Sequence, residues 1–425
     1  PLNGEFVQMS SSANQLQRVV GLPGAILMGL GSIIGAGVFV SLGLGEQIAG
    51  PSVLLALIIA GGVAACNGLS SAQLAANHPV SGGTYEYGHR WLSPYLGFTA
   101  GWMFLCAKSA SAATAALGFA TYFAPDHTIA VGLGTVAVLT VVTLTGMQRS
   151  NAVNAIIVSA VLLSLLAYVA IGFPSLQNKK EFLTPFFDST RKSAFLEATA
   201  LMFVAYTGYG RIATLGEEVR EPRRTIPVAI IVTLVLTVFL YLGVCTVSLA
   251  HAQGQGFESL CLLAEKRGGP TFGMILALGA ALAFLSVLLN LLLGLSRVAL
   301  AMGRRGDLPK NVGQVKETTK VPAAATVLVA LIICGLVCVG DLRLTWSFSA
   351  FTVLVYYAVT NLCAIRMKKE ERLYPAWISY LGLFACLSLA FFVEWRTLST
   401  GLALVVIGLG WKFVTSRKQT ARSKS

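Results

Sequence analysis

Gly31-Ser32-Ile33-Ile34-Gly35-Ala36-Gly37-Val38-Phe39 lies inside the first long apolar run of the chain, and its reading decides the fold. Three glycines in so short a stretch weaken a helix, since each costs about 1 kcal/mol relative to alanine. Small residues in a membrane helix usually serve close helix packing. Here, however, Gly35-Ala36-Gly37 falls near the middle of the run. A helix unwound there presents free N–H groups and free carbonyls at the bilayer midplane. The N–H groups, with the positive end of the half-helix, suit a carboxylate, and the carbonyls suit an ammonium group.

That reading requires the run to lie in a membrane, and the composition supports this. The 425 residues are 55% hydrophobic and 12% charged, about half the charge of a soluble domain. Apolar runs of about 20 residues, the length that crosses a bilayer core, recur at 22–44, 52–77, 95–123, 128–147, 151–173 and 193–216. They continue at 227–250, 270–303, 321–340, 344–366, 374–393 and 397–414. Inside hydrocarbon every backbone polar group must be paired within its own segment, so runs of this length are helices. A β-barrel would need short segments of alternating polarity, and none is seen. The expectation is an all-α polytopic membrane protein of about twelve transmembrane helices.

The net charge of +13 does not point to a nucleic acid, because the basic residues cluster in short loops and at the C-terminus. With the N-terminus in the cytoplasm, Arg90, Arg220, Arg223, Arg224, Arg304, Arg305, Lys368, Lys369 and the tail from Arg417 to Lys424 face inward. Fewer, such as Lys179, Lys180, Arg191 and Lys192, face outward. This asymmetry places both termini in the cytoplasm, as expected of a multi-pass protein of the cell membrane. No small-residue cleavage site follows the first apolar segment. Seven of the eight cysteines fall inside apolar runs, with Cys261 in a loop. Without a CxxC or a His/Cys cluster they read as small core residues, and no cofactor or metal is expected. The stretch from Asn77 to Ser93 is amphipathic and reads as a short interfacial helix on the cytoplasmic side.

Span 6 contains a second interruption, Phe203-Val204-Ala205-Tyr206-Thr207-Gly208-Tyr209-Gly210-Arg211. A pair of Gly-interrupted segments at corresponding places in two halves is the best pointer in a sequence to a transporter site. The run Gly31 to Phe39, the Ser81-Gly82-Gly83-Thr84-Tyr85 loop, and Gly216-Glu217-Glu218-Val219-Arg220 with Pro222 and Pro227 are shared features of one family. Ser296-Arg297-Val298 followed by Arg305-Gly306-Asp307-Leu308-Pro309 is another. Together they resemble the amino acid–polyamine–organocation (APC) superfamily of permeases, nearest to the cationic amino acid transporter branch and its bacterial relatives.

The resemblance covers spans 1–10. It implies the LeuT-type fold of five-plus-five inverted repeats. The first repeat would be 22–173, broken at Gly35 to Gly37, and the second 193–366, broken near Thr207 to Gly210. Residues 1–21 would be a cytoplasmic N-terminal segment, 374–414 two extra helices and 415–425 a basic cytoplasmic tail. It also implies alternating access around a midplane site. There the substrate carboxylate would meet the N–H groups of Ala36, Gly37 and Val38. Its amine would meet carbonyls near Ile33 and at Val204 and Thr207. Ile34, Gly35, Ala205 and Gly208 complete the two breaks. Phe203 and Tyr206 read as gate or wall aromatics, or equally as ordinary span packing.

Two cations remain inside the membrane. Lys108 sits in the middle of span 3 between Ala107 and Ser109, where a lysine costs about 2.5–3.5 kcal/mol and usually faces a cavity. Removing a lysine from water favours its neutral amine, so it can exchange a proton. Some proton-coupled members of the family have a lysine in span 5. Here that position, near Val161, has none, and Lys108 is expected to act in its place. Arg211 stays charged and so cannot carry a proton. It can hold a counter-ion, neutralise a carboxylate or stand in for a bound cation, or it can pair with Glu217 or Glu218. With two cations and no intramembrane acid near the site, neutral or acidic amino acids are expected over cationic ones. Asn290 reads as a helix-to-helix hydrogen bond, and Glu217, Glu218, Arg220, Arg223 and Arg224 as one ion-pair cluster. Span 8 is short of hydroxyls, which disfavours a sodium site.

The expected function is secondary active amino acid transport, by proton symport or by exchange, with the bilayer, the amino acid and a coupling proton as partners. The alternatives are a carrier of another small solute (a polyamine, an organic carboxylate or an inorganic ion) and a transporter-like nutrient sensor. An enzyme is not expected, since no HExxH, paired carboxylates or phosphate-binding loop is present. A channel would need a pore-lining charge ring.

Overall fold

The structure is a computed structural model and describes residues 16–35, 37–178, 186–187, 194–252, 259–339, 342–392 and 395–422. Ala36, the N-terminal 1–15, and the loop residues Lys179, Lys180, Arg191 and Lys192 lie outside it. Among the described residues there are helices and no strands, with one isolated bridge pairing Val20 with Val219.

Span 1 is divided. Helix α1 (Leu22–Ile33) stops where Ile34 turns extended, at φ −78° and ψ 107°. A π-helical turn, Gly37–Leu42, then leads into α2 (Gly43–Ala49). Span 2 is α3 (Val53–Asn77), followed by the short α4 (Thr84–Trp91). Next come α5 (Pro94–Phe123), α6 (Thr128–Leu144) and α7 (Met147–Gly172). Span 6 is α8 (Ala194–Tyr206), a 3₁₀ turn at Thr207–Tyr209, and the single turn α9 (Gly210–Ala213). Then follow α10 (Pro222–Ala252), the short α11 (Ser259–Gly268) and α12 (Pro270–Arg304). The chain ends with α13 (Ala323–Val339), α14 (Leu342–Arg366), α15 (Ala376–Ala390) and α16 (Trp395–Arg422). Cys261, expected in a loop, is therefore helical: the polar stretch before Pro270 forms α11.

Helix lengths and surfaces are those of a bilayer protein. Pro94–Phe123, Pro222–Ala250 and Pro270–Arg304 are among six stretches, in the described residues, long and apolar enough to cross a membrane. Their outward faces carry large bare hydrophobes, with Ile156 73% and Phe239 72% exposed. Such apolar exposure is rare in soluble monomers and suits a surface that faces lipid. Inside, α5 presents a stripe of Gly, Ala and Ser. A Cβ at Gly101 would meet the Tyr85 ring, and one at Gly118 the Phe284 ring. Small residues thus let α4 and α12 approach α5 closely. Asn290 of α12 donates to Asn154 Oδ1 of α7, and Asn154 Nδ2 donates to the Leu27 carbonyl of α1 at 3.1 Å.

Helix α4 does not lie on the membrane surface as expected. Gly82 and Gly83 adopt φ of +118° and +55°, a turn open to glycine. This turn drives Thr84, Tyr85, Glu86 and Tyr87 into the bundle. Tyr85 donates to Asp307 Oδ2 at 2.6 Å, and the Thr84 and Thr360 hydroxyls sit 2.7 Å apart. Polar groups of the helix expected at the interface instead meet residues after α12 and on α14.

The expected local cluster of Glu217, Glu218, Arg220, Arg223 and Arg224 is also corrected. Bridging of Val20 with Val219 turns Glu218 inward, where it takes two bonds from Arg297 at 2.6 and 3.1 Å, both side chains buried. Glu217 pairs with Arg304 at 2.8 Å, and Arg305 holds Glu86 at 2.6 and 2.8 Å. Arg220, Arg223 and Arg224 point outward from the start of α10. The acids are thus matched with the far end of α12, not with their sequence neighbours.

A buried ion pair is costly to break from one side, because the remaining charge is stranded. Glu218→Gln is expected to destabilise the protein by about 3–5 kcal/mol, read by unfolding in detergent. The double change Glu218→Gln/Arg297→Gln should cost less than Glu218→Gln alone, and strict additivity would refute the coupling. A second expectation concerns pH. His78 Nδ1 accepts from Arg90 Nη1 at 2.8 Å, and burial followed by the Arg90 charge holds the imidazole below its usual range. A histidine depressed in the folded state contributes stability above the unfolded value, near 6.5, and loses it as pH falls through the lower folded value. Unfolding temperature should therefore drop on acidification from pH 7 towards 5, less so in His78→Gln, and equal slopes would refute the assignment.

Candidate functional site

The two helix breaks meet in the middle of the bundle. A Cβ on Gly208 would strike the Ser32 carbonyl, and one on Gly37 would strike the Tyr241 hydroxyl and lie 3.0 Å from the Ala205 carbonyl. At Gly35 it would lie 2.8 Å from the Ala283 carbonyl of α12. The glycines of both breaks are therefore needed for approach between backbones.

Breaking a helix frees carbonyls that hydrocarbon cannot satisfy. Two tyrosines not anticipated from the sequence take them. Tyr241 of α10 donates to Ile33 O at 2.9 Å and reaches Ala205 O at 3.2 Å, bridging the two breaks. Tyr357 of α14 donates to Thr207 O at 3.1 Å. The Thr207 hydroxyl donates back to Val204 O at 2.8 Å. So the carbonyls of Ile33, Val204 and Thr207, expected to await an ammonium group, each already have a protein donor. A lone tyrosine in an apolar span was the available signal, but its partner lies far away in sequence.

Lys108 of α5 reaches the second break directly, donating from Nζ to Thr207 Oγ1 at 2.9 Å, and it is buried. Nearby, the hydroxyls of Ser111 and Ser349 are 2.9 Å apart. These groups surround a small cavity of about 20 Å³, lined by Ser32, Ile33, Gly37, Lys108, Ser111, Val204, Ala205, Thr207, Gly208, Val287 and Leu291. That volume holds about one water, so the breaks must part before anything larger enters. A larger groove of about 490 Å³, between Ile59, Phe195, Trp377 and Phe384, is almost wholly apolar and faces the lipid side of α3, α8 and α15.

Of the expected site residues, Ile33, Gly37, Val204, Ala205, Thr207, Gly208 and Lys108 line the cavity. Ile34, Gly35 and Val38 are buried behind it, and Ala36 lies outside the described residues. Phe203 packs edge-on against Tyr357 at 5.8 Å, and Tyr206 lies tilted against Tyr241 at 5.2 Å. Both brace the tyrosines that satisfy the breaks. Arg211 lies one turn beyond the cavity and donates to Thr214 Oγ1 at 2.9 Å. It forms no ion pair with Glu217 or Glu218, whose carboxylates are held by Arg304 and Arg297.

No acid lines the cavity, but a buried acid lies beyond it, past the residue-44 end expected for span 1. Glu46 of α2 is buried, its Oε2 accepting from Ser248 Oγ at 2.9 Å and its Oε1 from Cys245 Sγ at 3.7 Å. Span 1 had been ended at residue 44, but the π-helical turn and α2 extend it to Ala49.

Two interrupted helices packed on a buried lysine form a carrier-like centre, and comparison with known proteins decides the family. The profile of the amino acid permease family matches residues 24–424. This chain belongs to that family. It is accordingly a multi-pass α-helical membrane protein of LeuT-type fold, a transporter and not an enzyme. An uncharacterized transporter of Mycobacterium tuberculosis is 38% identical to this permease over 93% of the chain and 91% of its own length. The branched-chain amino acid permease BcaP of Bacillus subtilis is 26% identical over 98% and 97%. The methylthioribose transporter of the same organism is 25% identical over 86% and 85%.

Contact between the breaks predicts a contrast between two glycines. Gly208→Ala is expected to lower the unfolding temperature of the permease, since the added methyl must displace backbone, and overpacking typically costs about 1–3 kcal/mol. Gly62→Ala, which points into open space, should leave it unchanged or slightly raised. Equal tolerance at both positions would show that the breaks are not in contact.

Proposed function

We propose that this permease carries amino acids across the cell membrane by alternating access, with both termini in the cytoplasm and neutral or acidic substrates favoured over cationic ones. The observation that carries the reading is the cavity itself. Its lining holds one cation, Lys108, and no acid. Its remaining walls are backbone from two broken helices, the hydroxyl residues Ser32, Ser111 and Thr207, and the apolar side chains of Ile33, Val204, Val287 and Leu291. A cationic side chain would find no carboxylate there, whereas a substrate carboxylate would find an ammonium group. Protonated Lys108 has three donors, and Thr207 Oγ1 is its acceptor among the described residues.

Coupling to protons follows from the same geometry. A buried lysine without a carboxylate partner is poised to lose its proton when Thr207 moves away, and to regain it when a substrate carboxylate arrives. Glu46 supports a second placement of the proton. It is a buried carboxyl, held by a hydroxyl and a thiol with no cation at ion-pair distance among the described residues. The relatives divide on substrate. One is named for branched-chain amino acids and another for methylthioribose, so a different small solute is the rival reading, with exchange the rival to symport.

The test is uptake by purified protein in liposomes. Labelled neutral, acidic and basic amino acids would be supplied under an inward proton gradient, a sodium gradient or internal preloading. The expected result is proton-stimulated uptake of a neutral or acidic amino acid, with the pH dependence lost in Lys108→Ala and retained in Glu46→Gln. The reverse pattern would move the proton to Glu46. Silence across the panel from folded protein would reject amino acid transport in favour of another solute or a sensor.

A further inference from the structure

Arg211 presents an unsolved electrostatic problem in the described structure. Its guanidinium is buried, 3% exposed, and only Nη1 has a partner, the neutral hydroxyl of Thr214. Nε and Nη2 donate to nothing among the described residues. The charged groups that face it are Glu218 and Arg297. Glu218 is already engaged by Arg297 through two bonds, at 2.6 and 3.1 Å. Two buried guanidinium groups thus share one carboxylate, leaving one net positive charge. Arginine does not shed its proton in proteins. Water can accept the two free N–H bonds but cannot neutralise the charge, and an uncompensated buried ion is strongly destabilising.

Room on this side comes from Gly294 of α12, where a Cβ would lie 3.1 Å from Arg211 Cδ. Glycine there lets the arginine stem lie flat against α12, with Nη1 on Thr214 and the Nε/Nη2 edge left without an acceptor among the described residues. Nε and Nη2 are adjacent donors on one edge of a planar fork, the arrangement that fits a carboxylate in two-point contact or a single small anion.

We propose that Arg211 is an anion-binding site one turn beyond the Lys108 cavity, on the α4 side of the bundle. Its occupant is either a small inorganic anion such as chloride or the carboxylate of a substrate that has left Lys108. The second source rests on the carrier reading above, and the first does not. In either case Arg297 and Glu218 are positioning residues. Their pairing holds Glu218 away from Arg211 and keeps the fork available.

The experiment is thermal unfolding of the full-length protein in detergent, titrated at constant ionic strength with sodium chloride, sodium formate or bulky sodium gluconate. A saturable rise in unfolding temperature with chloride or formate, absent with gluconate, is expected. The rise should vanish in Arg211→Gln and persist in Lys108→Ala. Response to chloride alone assigns an inorganic anion, and response to formate alone assigns the substrate carboxylate. If wild type shows no saturable response, or Arg211→Gln responds like wild type, the site does not exist. If Arg211→Gln does not fold, Arg211→Lys serves in its place. Loss of the two-point fork should then weaken the apparent affinity at least several-fold, and an unchanged affinity would overturn the proposal. The readout is binding, so a silent uptake panel with a saturable titration would leave this site standing while rejecting amino acid transport.

Discussion

Tyr241 joins the two interrupted helices through one hydroxyl, 2.9 Å from Ile33 O and 3.2 Å from Ala205 O. The rest of the centre depends on this contact. In hydrocarbon a broken helix cannot leave carbonyls unpaired, so each interruption needs a donor from another helix. Tyr241 supplies one from α10 and Tyr357 another from α14, at Thr207 O. Gly37 is required because a Cβ there would occupy the place of the Tyr241 hydroxyl. Phe203 and Tyr206 then follow as packing for the two tyrosines, at 5.8 and 5.2 Å between rings. The glycines make the breaks possible and the tyrosines make them tolerable.

Buried charge is distributed unevenly along the bundle. At the α4 end acids and bases are matched, Glu218 with Arg297, Glu86 with Arg305 and Asp307 with Lys412. These contacts tie α4, α12 and α16 to the turn after α9, and Tyr85 joins them through Asp307. Towards the middle, Lys108 and Arg211 have hydroxyl partners instead of carboxylates. Beyond them Glu46 has no cation at ion-pair distance among the described residues. Matched pairs hold one arrangement of helices. Unmatched charges favour whichever arrangement brings them a partner, a bias that a two-state carrier can use.

Local features of this architecture were legible in the sequence, and long-range pairings were not. The Gly35-to-Gly37 and Thr207-to-Gly210 interruptions were visible because glycine is intrinsically weak in a helix. Lys108 was visible because charge in an apolar span is rare. Tyr241 and Tyr357 looked like ordinary membrane aromatics, since nothing near them in the chain marks the carbonyls they serve. Glu46 was missed through the π-helical turn, which has no compositional signature of its own and carries span 1 further than its hydrophobic run suggested. Arg211 was offered Glu217 and Glu218 because they are close in sequence. The Val20–Val219 bridge redirects Glu218 to Arg297, and no periodicity encodes that.

The size of the cavity bears on how the proposed cycle would run. At about 20 Å³ it admits a water and little else, so binding a solute means separating α1 from α8 and the Thr207–Tyr209 turn at their present contacts. Those contacts are hydrogen bonds from Tyr241 and Tyr357 to backbone carbonyls, together with the Lys108–Thr207 bond. In the proposed cycle an arriving ammonium group would take over these carbonyls and a carboxylate would take over Lys108, while the displaced Tyr241 and Tyr357 hydroxyls would need the substrate carboxylate or water as new acceptors. Exchange of partners of this kind has a small net free energy, because each bond lost is replaced by one of similar strength. The centre is therefore closed without being locked, and the free-energy difference between its states is left to the charges that change partner, Lys108 foremost.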